Sequence, residues 1–276
     1  MDMSNPSVVF ITDLDRTIIH SKHPEEPVVE WMVQTKMVNR PDLDERAVEE
    51  VVERRAVTHM TQQAQNQLAE LLSNPHFLFV PCTMRNKQQV ERIDFLKAYQ
   101  PSFMICTNGA QIYRNGQLDL VWDAKMRALV SKEDVLRDQQ LVESQQLPPA
   151  EIRRTEEFYL TLKFEAETDA QVAVGVLKEV FPPRKRQVIQ VGRKVFVIHP
   201  HIDKVHAVDY LMQDQAWEEE VYTAGDSIVD QWFTTRGQAI LPAHATFKGW
   251  PSAVRTTQRG IRATEEILAY LKQALK

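Results

Sequence analysis

Two carboxylates one residue apart, Asp13 and Asp15, follow an apolar segment near the start of the chain. Residues 8–12 are β-branched or aromatic, which predicts a strand buried on both faces, as in parallel sheets covered by helices. In open α/β sheets ligands bind beyond the carboxyl ends of the strands, so we expect both acids at the rim of a pocket. Two like charges this close favour either a shared proton or a bound divalent cation, whereas a solvated turn would give them no function.

Polar side chains also follow other apolar segments of the chain. Thr83 follows residues 76–82, and Asp226 and Asp230 follow residues 220–224. Parallel strands end at the same edge of a sheet, so these side chains are expected near Asp13. If a helix begins near Asp226, its acid and that of Asp230 share one helix face, at an end that suits acids or phosphate.

Several carboxylates at one site require a positive partner. A hard divalent cation satisfies them, and Mg²⁺ favours a few carboxylates together with waters and phosphate oxygens of a substrate. Lys204 lies at the start of a segment with helical spacing, where its ammonium group can neutralise a phosphate dianion, although a lone lysine is more often a surface residue. The residues therefore indicate a magnesium site with an anionic ligand.

The elements that position these residues alternate in an order typical of an α/β fold. Helix and strand patterns follow one another at 61–72, 76–82, 90–96 and 103–107, which predicts parallel strands joined by right-handed crossovers. The pattern changes between two predicted hairpins, at 112–118 and 187–198, and a helix at 205–212 then resumes the parallel order. We predict a Rossmann-like parallel-sheet core at 1–109 and 199–276, an inserted α+β cap at 110–198, and a flap or small insertion at about 21–60.

Composition narrows the class of function. The net charge of −5 disfavours nucleic acid or an anionic membrane as the main partner. We find neither an apolar segment of about 18 residues nor a signal-peptide pattern, which predicts a cytoplasmic protein. Cys82 and Cys106 are expected to be buried, reduced thiols. His199, His201 and His206 are interpreted as part of a helix start rather than a zinc site, and the glycines form no dinucleotide or P-loop motif.

The order of these motifs resembles that of phosphatases of the haloacid dehalogenase superfamily. The motifs are Asp13-Leu14-Asp15-Arg16-Thr17 after a strand, a strand ending in Thr83, Lys204 at a helix start, and Gly225-Asp226-Ser227-x-x-Asp230. Asn108-Gly109-Ala110, leading into the insert, is similar to the Cof-type and sucrose-phosphate-phosphatase-like subgroup, whose cap lies between the third core strand and the lysine. The resemblance covers nearly the whole chain except residues 21–60.

The resemblance implies a role for each motif residue. Asp13 would be the nucleophile and form an aspartyl phosphate, and Asp15 would act as the general acid and base. Thr83 and Lys204 would hold the phosphoryl group. The ligands of Mg²⁺ would be Asp13, the backbone carbonyl of Asp15, and Asp226, with Asp230 as a further ligand or a supporting acid.

The chain departs from the family pattern at uncharged positions. Met84 and Val205 stand where glycine is common, and Ile228-Val229 precedes the last acid where asparagine is common. These changes bear on substrate fit and rate rather than on reaction class.

We therefore expect a Mg²⁺-dependent phosphatase acting on a small phosphorylated metabolite, and sugar phosphates are the expected class of substrate. A phosphomutase with the same nucleophile is the enzymatic alternative, and a noncatalytic module that binds phosphate or Mg²⁺ is the alternative from another class. The basic residues at 153–154 and 184–186 and the insertion with Trp31 are candidate substrate contacts. The sequence predicts neither the particular substrate nor the oligomeric state.

Overall fold

A computed structural model describes residues 6–20, 29–35, 54–215, 217 and 220–276; at 29–35 and 54–57 it describes the backbone alone. The described residues form two compact units. The first unit lies within Met1–Pro81, Lys87–Pro101 and Trp217–Lys276, and the second comprises Cys82–Asn86 and Ser102–Ala216.

The first unit is built on a parallel sheet with strand order β14-β13-β12-β1-β4. The strands of this unit are β1 (Val8–Thr12), β2 (Val29–Thr35), β3 (Arg54–Met60), β4 (Phe77–Pro81), β12 (Glu220–Ala224), β13 (Gln238–Leu241) and β14 (Val254–Arg255). Strand β1 lies between β4 and β12, and all its residues are buried, as expected for the central strand of a parallel sheet. Thr12 pairs with Ala224 of β12 and Pro81 of β4, so these three strands end level with one another.

The first unit has four helices in its described part, and the first and last of them pack against each other. The four helices are α1 (Gln62–Ser73), α2 (Lys87–Val90), α3 (Asp94–Tyr99) and α8 (Ile261–Ala274). The Thr61 side chain caps α1 by accepting a hydrogen bond from the Ala64 amide, which satisfies one amide that the helix leaves without a partner. An ion pair joins Glu70 of α1 to Lys272 of α8. The helix predicted at 90–96 is divided into α2 and α3, since Ile93 has extended backbone angles.

The second unit contains an antiparallel sheet with strand order β10-β11-β9-β8 and a smaller sheet with order β5-β6-β7. Its strands are β5 (Phe103–Cys106), β6 (Gln111–Arg114), β7 (Gln117–Leu118), β8 (Glu151–Thr155), β9 (Tyr159–Lys163), β10 (Gln187–Val191) and β11 (Lys194–Ile198), and its helices are α4 (Leu120–Leu129), α5 (Lys132–Ser144), α6 (Glu167–Val180) and α7 (Lys204–Gln215). Both predicted hairpins are present, as β6–β7 and β10–β11. Asn115 and Gly116 have positive φ angles, as two-residue hairpin turns require.

The predicted fold class is confirmed, with two local differences. Helix α4 was not predicted, because Pro and Gly do not mark its limits and its exposed Leu120 and Val121 obscure the apolar period. Strand β5, predicted in the parallel sheet, forms its ladder antiparallel with β6. Its predicted parallel pairing is limited to a bridge between Ile105 and Cys82, where the Thr83 amide donates to the Ile105 carbonyl, 2.8 Å away. The cap limits at 110–198 stay a prediction.

The predicted insertion is partly described. Strands β2 and β3 form an antiparallel pair. Residues 21–28 and 36–53 lie outside the described residues, as does the side chain of Trp31. Cys82 and Cys106 are buried thiols, as expected. No helix within the described ranges is long and apolar enough to cross a membrane.

His20 connects the chain after β1 to helix α8 and predicts acid sensitivity. Its Nε2 lies 2.9 Å from the Thr264 hydroxyl, which itself donates to the Thr17 carbonyl, so the ring donates at Nε2. Burial, and then the charges of His244 and Arg16, lower the pKa of His20 from 6.5 to about 3. The unfolded chain therefore binds one more proton between these values, so the stabilisation is complete above pH 6.5 and is lost as the pH falls.

We expect the free energy of unfolding to fall by about 1.4 kcal/mol per pH unit from this one group between pH 6 and pH 4. The His20→Gln variant keeps an N–H donor for Thr264 but does not titrate, so this part of the slope should disappear. Urea unfolding at several pH values measures it, with His76→Gln, at an exposed position, as the control that keeps the slope. Equal slopes for wild type and His20→Gln would contradict the assignment.

Candidate active site

Three buried carboxylates of the first unit lie close together. Asp13, Asp226 and Asp230 each offer an oxygen within 4.8 Å of those of the other two. Their exposed fractions are 6%, 2% and 0%, so solvent screens their mutual repulsion poorly. Among the described residues, these three acids form the one group of acidic, histidine or cysteine side chains close enough together to hold a metal ion. The histidines at 199, 201 and 206 do not belong to such a group.

The register of β1 against β12 brings the first two acids together. The Asp13 amide donates to the Ala224 carbonyl at 2.9 Å, which continues the parallel ladder one residue beyond β1. Asp13 therefore emerges beside Gly225, and Asp226 follows directly. This is the arrangement expected for side chains that leave adjacent parallel strands at their carboxyl ends.

Asp230 reaches the other acids through a tight turn rather than an α-helix. Residues Ile228–Asp230 form a single 3₁₀ turn, and Asp230 Oδ2 accepts hydrogen bonds from the amides of Asp226 and Ser227, at 3.1 and 2.9 Å, and from the Ser227 hydroxyl at 2.8 Å. The prediction of a shared helix face was therefore wrong in its geometry. The amides of this turn, expected to suit acids or phosphate, donate to the Asp230 carboxylate.

Asp226 is held at both its backbone and its side chain. Its carbonyl accepts from the Thr246 amide at 2.7 Å and from the Thr246 hydroxyl at 3.2 Å. Its Oδ2 lies 3.2 Å from Nε of Arg16. A carboxylate held in this way loses less conformational entropy when it binds a metal ion, because its side chain is already ordered.

The three carboxylates fit a hard divalent cation. Oxygen donors are what Mg²⁺ and Ca²⁺ prefer, and three buried acids within 4.8 Å are costly without a cation or protons between them. Asp15 is half-buried and lies on the loop after β1, where a bridge pairs it with Ile19. Its expected contribution of a backbone carbonyl stays a prediction.

Thr83 and Lys204 belong to the second unit, and both are buried. Thr83 comes two residues after the end of β4, and its hydroxyl accepts a hydrogen bond from the Arg85 amide at 3.1 Å. Lys204 is the first residue of α7 and is 0% exposed. A fully buried ammonium group is stable only with compensating negative or polar partners.

A left-handed turn at residues 107–109 connects the Thr83 loop to Lys204. Thr107, Asn108 and Gly109 all have positive φ angles. The Asn108 amide donates to the Thr83 carbonyl at 3.1 Å, and the Asn108 side chain donates to the Ile202 carbonyl, also at 3.1 Å. Gly109 packs so closely on Asp203 and the Lys204 amide that it leaves no space for a Cβ atom.

Tyr159 links the antiparallel sheet of the second unit to the loop that carries Thr83. Its hydroxyl lies 3.5 Å from the Met84 carbonyl. Burial raises the pKa of Tyr159, and the positive charges of Arg153 and Lys204 act in the opposite direction. Met84 therefore contacts β9 through its backbone carbonyl.

The comparisons place the chain among known proteins. Residues 36–241 match the family model for sucrose-6F-phosphate phosphohydrolase. The chain belongs to this family. The match begins after Asp13 and Asp15. The assignment of these two residues to the site therefore comes from the strand register and the acidic cluster. The family, and with it the haloacid dehalogenase superfamily, are thereby confirmed, and the chain is a phosphoric monoester hydrolase. No curated protein sequence is significantly similar to this family member.

Solved structures share the fold of this family member at low identity. The sucrose-phosphatase of Synechocystis, in complex with sucrose and phosphate, has a TM-score of 0.62 at 17% identity, covering 97% of this chain and 98% of that one. The C-terminal domain of trehalose-6-phosphate phosphatase from C. albicans has a TM-score of 0.63 at 13% identity, covering 98% and 93%. A Streptococcus mutans protein has a TM-score of 0.60 at 12% identity, covering 98% and 100%.

Sequence reasoning missed three residues that contact the acidic cluster or the Thr83 loop, namely Arg16, Thr246 and Tyr159. Arg16 carried a signal, because its position in Asp-x-Asp-x-Thr precedes a turn, but nothing indicated its contact with Asp226. Thr246 lies twenty residues from Asp226, and Tyr159 is the first residue of β9. Their contacts depend on tertiary packing, which has no local sequence pattern.

Gly225→Ala tests how Asp230 reaches the acidic cluster. A Cβ at residue 225 would collide with the Asp230 side chain, so we expect a loss of about 1–3 kcal/mol in unfolding free energy and a loss of Mg²⁺-dependent activity. Gly175→Ala is the control, because nothing lies within 4 Å of its Cβ and alanine in a helix stabilises by about 0.5–1 kcal/mol. Wild-type activity in Gly225→Ala would contradict the placement of Asp230.

Gly109→Ala tests the support of Lys204. The substitution combines a positive φ with a collision against the Asp203 carbonyl, so we expect it to destabilise the protein by more than about 2 kcal/mol. Gly116→Ala shares the positive φ but meets nothing within 4 Å, and should cost about 1 kcal/mol. Thermal unfolding of the two variants separates the collision from the strain, and equal costs would exclude the close packing.

Proposed function

We propose that the chain hydrolyses the phosphate ester of a small phosphorylated sugar, with Mg²⁺ as the cofactor and an aspartyl phosphate on Asp13 as the intermediate. The observation that supports this most directly is the buried cluster of Asp13, Asp226 and Asp230, at the end of the central strand in a member of a sugar-phosphate phosphatase family. A structural neighbour was solved with sucrose and phosphate, which favours a sugar phosphate as the substrate here.

Asp13, Asp226, Asp230 and the Asp15 carbonyl would hold Mg²⁺. When bound, Mg²⁺ neutralises charge on the phosphoryl oxygens and orients them. Neutralisation also allows Asp13 to stay ionised among other acids, as a nucleophile must. The remaining chemistry belongs to the side chains of the chain.

In the first step, an Asp13 carboxylate oxygen attacks phosphorus as the ester P–O bond breaks. Asp15 donates its proton to the departing sugar oxygen. In the second step, Asp15 takes a proton from water as the water oxygen attacks phosphorus. The P–O bond to Asp13 breaks, and inorganic phosphate and the original carboxylate are released.

Thr83 and Lys204 would hold the phosphoryl group during both steps. The Thr83 hydroxyl is a neutral donor and the Lys204 ammonium a charged one, and charge-assisted hydrogen bonds to phosphate are the stronger kind. Phosphoryl transfer depends largely on positioning and charge neutralisation. The attachment of both residues to the turn at 107–109 supports such a role, because it limits their independent movement.

Asp13→Asn should reduce Mg²⁺-dependent phosphate release by at least about a thousandfold, because it removes the nucleophile. Phosphate release from a panel of phosphorylated sugars, with and without Mg²⁺, measures this. Asp94→Asn makes the same charge change at an exposed position in α3 and should retain wild-type activity. Asp15→Asn should slow both steps, because Asp15 donates a proton in the first and accepts one in the second.

Three outcomes distinguish the alternatives. Free phosphate as the sole product supports the phosphatase, whereas an isomeric sugar phosphate supports a phosphomutase. Saturable ligand binding without turnover across the panel supports a noncatalytic module. Phosphate release by Asp13→Asn at the wild-type rate would exclude the mechanism. The cytoplasmic location stays a prediction.

A further inference from the structure

Arg16 adopts a backbone conformation that its side chain disfavours. Its φ angle is 66°, in the left-handed region where a Cβ atom crowds the following carbonyl group. Glycine would adopt this conformation without cost. Such a conformation persists where surrounding contacts hold it, and it is often found at functional sites.

His244 holds the Arg16 backbone from a distant part of the chain. The Gly260 amide donates to Nδ1 of His244 at 3.1 Å, and Nε2 lies 2.9 Å from the Arg16 carbonyl. Nδ1 accepts, so the proton of the neutral ring is on Nε2 and is donated to Arg16. The Arg16 amide in turn donates to the Ile19 carbonyl. Hydrogen bonds of this kind contribute stabilisation of the same order as the cost of one left-handed residue.

The same loop also holds Asp226. Residues 242–246, which follow β13 and are called here the β13 loop, contain both His244 and Thr246. Thr246 donates its amide and hydroxyl to the Asp226 carbonyl. His244, two residues before Thr246 in the same loop, donates to the Arg16 carbonyl. The β13 loop therefore determines the separation between the backbones of Arg16 and Asp226.

The side chains of these two residues meet as a consequence. Arg16 Nε lies 3.2 Å from Asp226 Oδ2, and the Arg16 side chain is 50% exposed while that of Asp226 is 3% exposed. We propose that Arg16, held by His244, is a positioning residue that orients the Asp226 carboxylate and thereby sets the Mg²⁺ affinity of the acidic cluster. This inference rests on the proposed Mg²⁺ site.

Arg16 Nε and Asp226 Oδ2 form an ion pair at 3.2 Å, which draws this one oxygen toward the guanidinium group by charge. A carboxylate has about four lone-pair positions on its two oxygens, so a contact at Oδ2 is compatible with a cation bound elsewhere on the group. Partners that fix a metal ligand in this way are commonly as important for affinity as the ligands. Removing the Arg16 side chain also removes a positive charge beside the acids, which by itself strengthens Mg²⁺ binding. Weaker binding after its removal therefore reports the loss of positioning.

Arg16→Gly is the most informative variant, because glycine keeps the left-handed backbone and removes only the side chain. We expect it to weaken Mg²⁺ binding about tenfold, the lower end of the effect of removing a partner of a metal ligand. Isothermal titration with Mg²⁺ at 25 °C measures the affinity directly, independently of turnover. Arg262→Ala makes the same charge change at an arginine paired with Glu265 and should bind Mg²⁺ like the wild type.

Two substitutions of His244 separate its hydrogen bonds. Gln places an N–H donor near the position of Nε2 and should preserve the bond to the Arg16 carbonyl, whereas Asn places an acceptor near Nδ1 and preserves only the bond from Gly260. We expect His244→Gln to bind Mg²⁺ within about twofold of wild type and His244→Asn to bind about tenfold more weakly. Thermal unfolding shows whether both variants are folded under the assay conditions.

The outcomes separate this inference from the proposed function. Weaker Mg²⁺ binding by Arg16→Gly and His244→Asn, with His244→Gln and Arg262→Ala close to wild type, supports the positioning role. Unchanged or tighter binding by Arg16→Gly overturns it, and so does equal binding by the two His244 variants. If the wild type itself binds no Mg²⁺, the proposed cofactor is wrong, whatever the variants do.

Discussion

The repulsion among three buried carboxylates is the constraint on which the first unit depends. Asp13, Asp226 and Asp230 lie within 4.8 Å of one another, and a folded chain tolerates this only if other contacts fix each acid and a positive charge compensates them. The parallel register fixes Asp13, Thr246 and Arg16 hold Asp226, and the 3₁₀ turn holds Asp230. Stability and a capacity to bind a cation therefore have the same structural origin.

In the second unit, a turn with strained backbone angles lies between the Thr83 loop and Lys204. Thr107 and Asn108 adopt left-handed angles, which β-branched residues in particular disfavour. The hydrogen bonds of this turn to the Thr83 loop and to Ile202 hold it in place. Arg16, beside the acidic cluster, adopts the same region, as do Gln100, Asn115, Gln146, Glu156 and Glu157 elsewhere in the described ranges. Three of these strained residues therefore lie next to residues proposed for catalysis, where pre-organised sites often store strain.

The structure shows why the uncommon residues at positions 84 and 228 are compatible with the candidate site. Met84 contributes its backbone carbonyl to the contact with Tyr159, a role that most side chains at this position permit. Ile228 lies in the 3₁₀ turn and is half-exposed, so it does not interfere with the hydrogen bonds that Asp230 accepts. These substitutions leave the charged groups in place, which agrees with membership of a phosphatase family.

The local sequence by itself determined the strands, the hairpins and the acids at strand ends, because apolar runs, Asn-Gly turns and carboxylates after β1 and β12 are local signals. Tertiary structure alone decided the 3₁₀ turn at 228–230 and the antiparallel pairing of β5. It also decided the contacts that Thr246, His244 and Tyr159 make with the two groups of candidate residues. These contacts join residues far apart in the chain, and their free energy comes from packing and burial rather than from local preference.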